Sequence, residues 1–207
     1  MLCLLPGCEQ SDKTTRIQPQ KETASEGTIV AVGDSLTAGL GVSDEDAYPA
    51  QLEKLLHASG YNWKVVNAGI SGETSSGTLS RINWILKLKP DMVILETGAN
   101  DGLRGIDPRV TKKNLDETIR LLKNNNVTVV LAGMKMVTNL GPEFTRAFGA
   151  IYPDLARKHD LILIPFFLKD VAGDRALNQA DGIHPTAEGY RIIAKTVYSS
   201  AKEAIDR

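Results

Sequence analysis

The sequence is poor in cysteine and in aromatic residues, and it carries no excess of charge of either sign. Its two cysteines, Cys3 and Cys8, lie within the first eight residues, which argues against a disulfide framework and against a zinc site. Aromatic residues make up 5% of the 207 residues and the net charge is −1, so we expect no nucleic-acid partner. No apolar run approaches the ~20 residues that a membrane-spanning helix needs.

The N-terminal segment resembles a shortened export signal followed by a flexible tether. Leu5 to Cys8 is similar to a lipoprotein signal site in which Cys8 would carry the lipid, although a proline there is atypical. The apolar part is short and lacks basic residues, which suggests a natural start further upstream. We therefore expect a signal remnant and tether over residues 1–26, one folded domain over residues 27–207, and a periplasmic or secreted location. The alternative is a cytoplasmic protein with a functionless apolar tag.

Five short apolar segments, rich in valine, isoleucine and leucine, predict β-strands. They do not alternate with polar residues, which predicts that both faces of each strand are buried. The segments are Thr28–Val32, Trp63–Asn67, Met92–Glu96, Thr128–Ala132 and Leu161–Ile164. The predicted helices are Pro49–Ser59, Thr74–Leu88, Pro108–Asn125, Pro142–His159 and Thr186–Ile205, with Thr186 as an N-cap.

This alternation of strands and helices predicts an α/β fold with a five-stranded parallel sheet and helices on both faces. Five strands suit the flavodoxin-like order 2-1-3-4-5. In such sheets ligands bind beyond the carboxyl ends of the strands, at the switch between strands 1 and 3. The loops that follow the strands are therefore the places to look for function.

Four polar, glycine-containing motifs occur in those loops. They are GDS at residues 33–35, NAGISGET at 67–74, TGANDGLRG at 97–105 and DGIHPTAEG at 181–189. The first three follow predicted strands 1 to 3, and the fourth precedes the last helix. We expect all four at one rim of the sheet.

The side chains in these motifs make a complete set for acyl transfer. Ser35 is a candidate nucleophile, His184 its general base, and Asp181 the group that fixes the histidine tautomer. The N–H groups of Ser35 and Gly72 and the amide of Asn100 are candidate oxyanion donors. Each feature has a plainer alternative: a serine after a strand commonly caps a helix, and the other motifs can be surface turns. Their occurrence together favours a serine hydrolase.

Taken in order, GDSLTAGLG, NAGISGET, GAND and DGIHP resemble the four sequence blocks of the SGNH (GDSL) hydrolases, over about residues 27–207. The stretches ETGANDGLRG and AIYPDLARKHDLILIPFFL are similar to the bacterial arylesterase group of that family, which includes multifunctional thioesterase-lysophospholipases. The resemblance implies a three-layer α/β/α sandwich and the same catalytic and oxyanion roles as above. Ala99 stands where some relatives have a second glycine, a change that removes no donor.

An acyl group would need an apolar groove beside Ser35. The candidate groove residues are Leu40, Leu103, Ile106, Met136, Val137, Leu140 and Ile183. Ordinary packing is the alternative for each. In relatives the segment flanked by Gly102 and Gly105 resembles a mobile loop that closes over the acyl chain, and we carry this over as a hypothesis.

The leading functional prediction is a serine esterase that hydrolyses short to medium acyl esters of aryl or alkyl alcohols, and also thioesters. The alternative within the same chemistry is a lysophospholipase or acyl-CoA thioesterase as the physiological role. A carbohydrate O-deacetylase and a flavodoxin-like binding module without turnover are weaker alternatives. No cofactor and no metal ion are implied, because serine, imidazole and amide groups suffice for acyl transfer.

Overall fold

A computed structural model describes residues 25–136 and 140–207 of the chain. The predictions for residues 1–24, including lipidation of Cys8, and for Val137 as a groove residue lie outside the described residues. The strands are β1 (Gly27–Gly33), β2 (Trp63–Gly69), β3 (Met92–Glu96), β4 (Thr128–Ala132) and β5 (Ile162–Ile164). The helices are α1 (Ser35–Ala38), α2 (Tyr48–Ala58), α3 (Ser75–Ser80), α4 (Ile82–Lys87), α5 (Ala99–Leu103), α6 (Pro108–Asn124), α7 (Pro142–His159) and α8 (Ala187–Asp206).

The five strands form one parallel sheet in the order β2-β1-β3-β4-β5, which confirms the predicted topology. Helices α2 and α8 pack together on one face, and α3, α4, α6 and α7 form the layer on the other face. The fold is therefore the predicted three-layer sandwich. Because β1 runs between β2 and β3, the switch point falls where β1 and β3 end side by side.

The core lies on both sides of the central strands. Ile29 to Val32 in β1 and Met92 to Leu95 in β3 are fully buried, as continuous apolar runs predict. The same prediction is wrong for β2, where Lys64 and Asn67 are exposed. The reason is position, because β2 is an edge strand that the helices cover only in part.

The long helices begin and end within one residue of their predicted bounds. The predicted N-cap is confirmed, since the Thr186 hydroxyl accepts the N–H of Gly189. The single helix predicted over Thr74–Leu88 is wrong: it divides at Arg81 into α3 and α4. The guanidinium of Arg81 turns inward at this break, where it pairs with Glu73 and donates to the Ala68 carbonyl.

Two one-turn helices, α1 and α5, lie in segments predicted as loops. They are too short to show helical periodicity in the sequence. They follow β1 and β3 at the switch point, and they carry Ser35 and Asn100 respectively. The fold thus presents both residues from the first turn of a helix at the carboxyl edge of the sheet.

Candidate active site

Ser35 is the first residue of α1, immediately after the end of β1. The carboxylate of Asp34 caps this helix, because its Oδ1 accepts the N–H of Leu36 at 2.9 Å. The N–H of Ser35 has no partner within the helix, as expected at a first helical position. The Ser35 side chain is buried beside the loop that precedes α8.

A continuous hydrogen-bonded chain joins Ser35 to His184 and Asp181. The distance from Ser35 Oγ to His184 Nε2 is 2.9 Å, and that from His184 Nδ1 to Asp181 Oδ2 is 2.7 Å. With Nδ1–H donated to the aspartate, Nε2 is left to accept the serine proton. The structure therefore brings the three predicted residues together in the required order.

Backbone N–H groups of its own turn hold the Asp181 carboxylate in place. Its Oδ1 accepts the backbone N–H groups of Ile183 at 2.8 Å and His184 at 3.0 Å. The side-chain hydrogen bond from His184 and these two backbone bonds hold the pKa of Asp181 below its usual range. The aspartate is therefore ionised and available to the imidazole at neutral pH.

Gln179 fastens the Asp181–His184 turn to the segment after Ser35, a role that the sequence analysis missed. Its side-chain amide donates to the carbonyls of Leu40 at 2.7 Å and Pro185 at 2.9 Å, and its N–H donates to the His184 carbonyl. A side chain at Gly41 would collide with this amide. The sequence around Gln179 does not predict this role, because Leu40 lies 139 positions away in the chain.

The predicted oxyanion donors lie in neighbouring turns. Gly72 adopts a left-handed conformation with φ of +78°, and its carbonyl accepts a hydrogen bond from Arg104 at 2.9 Å. The Asn100 amide nitrogen donates to Asp34 Oδ2 at 3.1 Å and to the Glu73 carbonyl at 3.0 Å. Asn100 therefore sits beside the nucleophile segment, with both amide hydrogens on protein acceptors.

A second aspartate fixes α5 and so orients Asn100. Asp101 is buried, and its carboxylate accepts the N–H and hydroxyl of Ser75 and the hydroxyl of Thr111. These bonds tie α5 to the starts of α3 and α6. Asp101 thus has a structural role in the described part of the chain.

Two buried carboxyl groups, those of Asp34 and Glu96, lie beneath Ser35. Burial raises the pKa of Asp34 to about 6, and burial together with Asp34 raises the pKa of Glu96 well above its usual range. Glu96, at the end of β3, is fully buried. The site is therefore acidic and weakly solvated beneath the nucleophile.

The candidate groove residues occupy several positions around this rim. Leu103, 53% exposed, follows Asn100 in α5, and Ile183, 46% exposed, precedes His184. Met136 packs against α5, where a Cβ on Gly102 would lie 2.2 Å from its sulfur, and Ile106 is half-buried after α5. Leu140 instead lines a surface cavity at the starts of α6 and α7.

Two exposed apolar residues, Leu40 and Ile70, border the segment that carries Ser35. The N–H of Leu40 donates to the Ser35 carbonyl, and the N–H of Ile70 donates to the Gly33 carbonyl, at 3.1 and 3.0 Å. Their side chains are 46% and 48% exposed. Ile70 lies within the NAGISGET motif but was not among the predicted groove residues.

Within residues 25–136 and 140–207, no group of three or more histidine, cysteine or acidic side chains is placed to hold a metal ion. In that same part of the chain, no helix has the length and apolar character needed to cross a membrane.

Comparisons with known proteins show which family the chain belongs to. Residues 31–192 match the family model described as the GDSL-like lipase/acylhydrolase family. The chain is 37% identical over 182 residues to esterase TesA of Pseudomonas aeruginosa, covering 87% of this chain and 90% of that protein. It is 38% identical over 172 residues to thioesterase 1/protease 1/lysophospholipase L1 of Escherichia coli, covering 83% and 81% of the two chains.

A solved structure extends the similarity to the fold. The crystal structure of the psychrotrophic esterase EstA from a Pseudoalteromonas species, inhibited by monoethylphosphonate, superposes with a TM-score of 0.83 at 31% identity. The superposition covers 88% of this chain and all of that one (100%). The chain belongs to the GDSL-like lipase/acylhydrolase family and is a carboxylic ester hydrolase, acting on esters of small molecules or lipids.

Proposed function

We propose that this esterase works through a Ser35–His184–Asp181 triad and an acyl-enzyme on Ser35, with short to medium acyl esters and thioesters as substrates. The observation that carries the proposal is the unbroken hydrogen-bonded chain from Ser35 Oγ through the imidazole to the Asp181 carboxylate. An imidazole held at both nitrogens in this way can take the serine proton and return it to the leaving group.

In the first half of the reaction, Ser35 Oγ attacks the ester carbonyl as His184 Nε2 accepts its proton. The C–O or C–S bond then breaks, and the alcohol or thiol leaves with the proton from His184. In the second half, water gives a proton to His184 as it attacks the acyl-enzyme, and the carboxylic acid leaves as His184 returns that proton to Ser35 Oγ. Only a neutral imidazole can accept the serine proton, so turnover should fall at acid pH.

The developing oxyanion would be stabilised by the N–H groups of Ser35 and Gly72 and by the amide of Asn100. The Gly72 conformation supports this, since its N–H makes no hydrogen bond to another described residue. Asn100 would contribute by sharing one amide hydrogen that now contacts Asp34 or the Glu73 carbonyl. No cofactor is needed for these steps.

Exposed apolar side chains around Ser35 support an acyl-binding role. Leu103 and Ile183 border Asn100 and His184, and Leu40 lies directly after the nucleophile helix. Ile106, Met136 and Leu140 would extend the groove along α5 and towards α6. A rim that reaches this far would also accept the long acyl chain of a lysophospholipid or acyl-CoA, which is the second candidate role and matches the name of the Escherichia coli relative.

The experiment that tests the proposal is a p-nitrophenyl ester series from acetyl to palmitoyl, measured with the wild type and Ser35→Ala. We expect kcat to fall by about 10⁴ or more in the variant for every ester, because the nucleophile is removed. Wild-type turnover should peak at short to medium chains. A peak at palmitoyl would favour the lysophospholipase or thioesterase role, and an active Ser35→Ala variant would refute the triad.

We also propose that residues 27–207 form the hydrolase domain, and that residues 1–26 are an export signal remnant and tether. The polar composition of residues 9–26 and the lipoprotein-like site at Cys8 support this. The expected location is periplasmic or secreted, with a lipid on Cys8 as a peripheral anchor. Labelling cells with a clickable fatty acid would test it: label should appear on the wild type and be absent from Cys8→Ser.

A further inference from the structure

Glu96 is a fully buried carboxyl group beneath Ser35 that the proposed reaction does not use. It is the last residue of β3, and its Oε2 accepts hydrogen bonds from the Thr37 hydroxyl at 2.9 Å and the Asp34 N–H at 3.4 Å. These two donors lie immediately before and two residues after Ser35. A single oxygen atom therefore contacts both sides of the segment that carries the nucleophile.

Gly33 shows how closely this carboxyl group is packed. A Cβ at Gly33 would lie 2.1 Å from Thr37 Oγ1 and 2.4 Å from Glu96 Oε2. Its φ is not in the left-handed region, so the glycine is needed for space rather than for an unusual backbone conformation. Any side chain there would separate Glu96 from the nucleophile segment.

The surroundings of Glu96 favour its neutral form. The titratable groups that interact with it are acidic: the carboxylates of Asp34 and Glu73, and the phenols of Tyr48, Tyr152 and Tyr190. Glu73 is already paired with Arg81. A second negative charge beside Asp34, in a fully buried site where no cation of the described residues contacts Glu96, would be strongly disfavoured.

The two carboxyl oxygens of Glu96 differ in their hydrogen bonds. Oε2 already accepts two bonds, whereas Oε1 is buried and has no hydrogen-bond partner among the described residues. A neutral acid with its hydroxyl on Oε1 leaves Oε2 as the carbonyl acceptor. Asp34 then carries the one negative charge of the pair and uses it to cap α1 and to hold the Asn100 amide.

We propose that Glu96 is a positioning residue for the nucleophile, a neutral carboxylic acid whose Oε2 anchors Thr37 and the Asp34 backbone and so holds Ser35 in line with His184. The inference rests on the proposed role of Ser35. It adds a requirement for an acceptor at Glu96 without a requirement for a charge there.

The first test removes the Thr37 donor. Thr37→Val keeps the shape of the side chain but cannot donate to Glu96, and Thr118→Val is the matched control, since that buried hydroxyl has no partner in the described structure. We expect kcat to fall about tenfold in Thr37→Val with KM little changed, and to stay at the wild-type value in Thr118→Val. Equal kcat values for the two variants would overturn the anchoring role.

The second test separates the acceptor from the charge. Glu96→Gln retains an acceptor oxygen and no charge, whereas Glu96→Met retains neither. We expect Glu96→Gln to keep kcat within about fivefold of the wild type with an unchanged acidic limb of the pH profile, and Glu96→Met to lose about tenfold or more. A shifted acidic limb in Glu96→Gln, or an equal loss in both variants, would overturn the proposal.

An infrared measurement detects the proton on Glu96 directly and does not depend on the kcat values of the variants. At pH 7 the wild type should show the C=O stretch of a buried protonated carboxyl that is missing from Glu96→Gln. Its absence from the wild type would show an ionised Glu96 and overturn the neutral assignment. Ser35→Ala, measured alongside, keeps the outcomes distinct: if it remains active the triad is wrong, and if it is inactive the result concerns Glu96 alone.

Discussion

Two aspartates serve the two halves of this site, and their environments shift their pKa values in opposite directions. Asp34, 1% exposed, lies beneath the nucleophile beside Glu96, and burial raises its pKa to about 6. The side chain of Asp181 is 45% exposed, and hydrogen bonds from His184 and two backbone N–H groups lower its pKa. The same side chain thus becomes a buried structural acceptor in one place and a permanently charged partner in the other.

The largest effect should come from removing the charge at the exposed aspartate. Asp181→Asn keeps the size of the side chain but favours the wrong imidazole tautomer, so we expect kcat to fall about 10³-fold or more. Steady-state kinetics with a p-nitrophenyl ester measures this. A loss of less than tenfold would mean that the backbone of the turn, and not the carboxylate, orients His184.

A smaller effect should follow at the buried aspartate. Asp34→Asn would place an amide donor against that of Asn100, so we expect kcat to fall about tenfold to a hundredfold. In the wild type, Asp34 gains a proton as the pH falls through about 6, so log(kcat/KM) should fall more steeply at low pH than it does in Asp34→Asn. Identical acidic limbs in the two proteins would show that Asp34 does not contribute to the pH profile.

The buried carboxyl pair should also set the pH dependence of stability. The raised pKa of Glu96 means that the native state keeps a proton which the unfolded chain releases above about pH 4.5. The free energy of unfolding therefore falls as the pH rises, by at most about 1.4 kcal/mol per pH unit for this group. The raised pKa of Asp34 acts with the same sign up to about pH 6.

Urea titrations at pH 5, 6.5 and 8 would measure this contribution. The stability of Glu96→Gln relative to the wild type should increase with pH, because the variant has no proton to lose. Asp181 does not interfere, since its lowered pKa gives stability that is lost only as the pH falls below about 4. A constant difference across the three pH values would contradict a raised pKa at Glu96.

The smallest effect should come from Gly105, at the end of the segment hypothesised to close over the acyl chain. Proline cannot be used to stiffen this position, because the φ of Gly105 is +65°. In addition, the N–H of Gly105, which proline would remove, donates to the Gly102 carbonyl. The methyl group added in Gly105→Ala has no neighbouring atom within 4 Å. The substitution should therefore lower the free energy of unfolding by about 1 kcal/mol through backbone strain alone.

If the segment closes over acyl chains, Gly105→Ala should slow palmitoyl ester hydrolysis a few fold more than acetyl ester hydrolysis. Gly60→Ala is the matched control: Gly60 has φ of +88°, equally open space, and a position before β2 at the opposite edge of the sheet. Equal effects on both esters in Gly105→Ala would remove the lid hypothesis.

Features encoded in short stretches of sequence could be predicted, whereas features created by contacts between distant segments could not. The strands, the sheet order and the Ser35, Asp181 and His184 set follow from short motifs and apolar runs, and the structure brings those three side chains together. The sheet register places Val32 opposite Leu95, and this alone brings Glu96 to Gly33. No pattern within either strand reveals that contact.

Contacts between distant segments also explain the two wrong predictions, the burial of β2 and the single helix over Thr74–Leu88. The exposure of β2 depends on its place in the sheet, and the break at Arg81 depends on an ion pair with Glu73 that competes with the continued helix. The fastening role of Gln179 joins segments far apart in the chain. Each of these is decided by tertiary contacts, which periodicity in a single sequence does not contain.

The hydrogen bond between Ser35 and His184 joins residues 149 positions apart, one directly after the first strand and the other in the loop before the last helix. During synthesis, Ser35 therefore leaves the ribosome long before His184 is made. With the proposed triad, a nascent chain that ends before residues 181–184 should hydrolyse nothing, since that turn must first be made and fastened by Gln179. Ester hydrolysis would then report the completion of the whole domain, and refolding followed by activity would register only the final step.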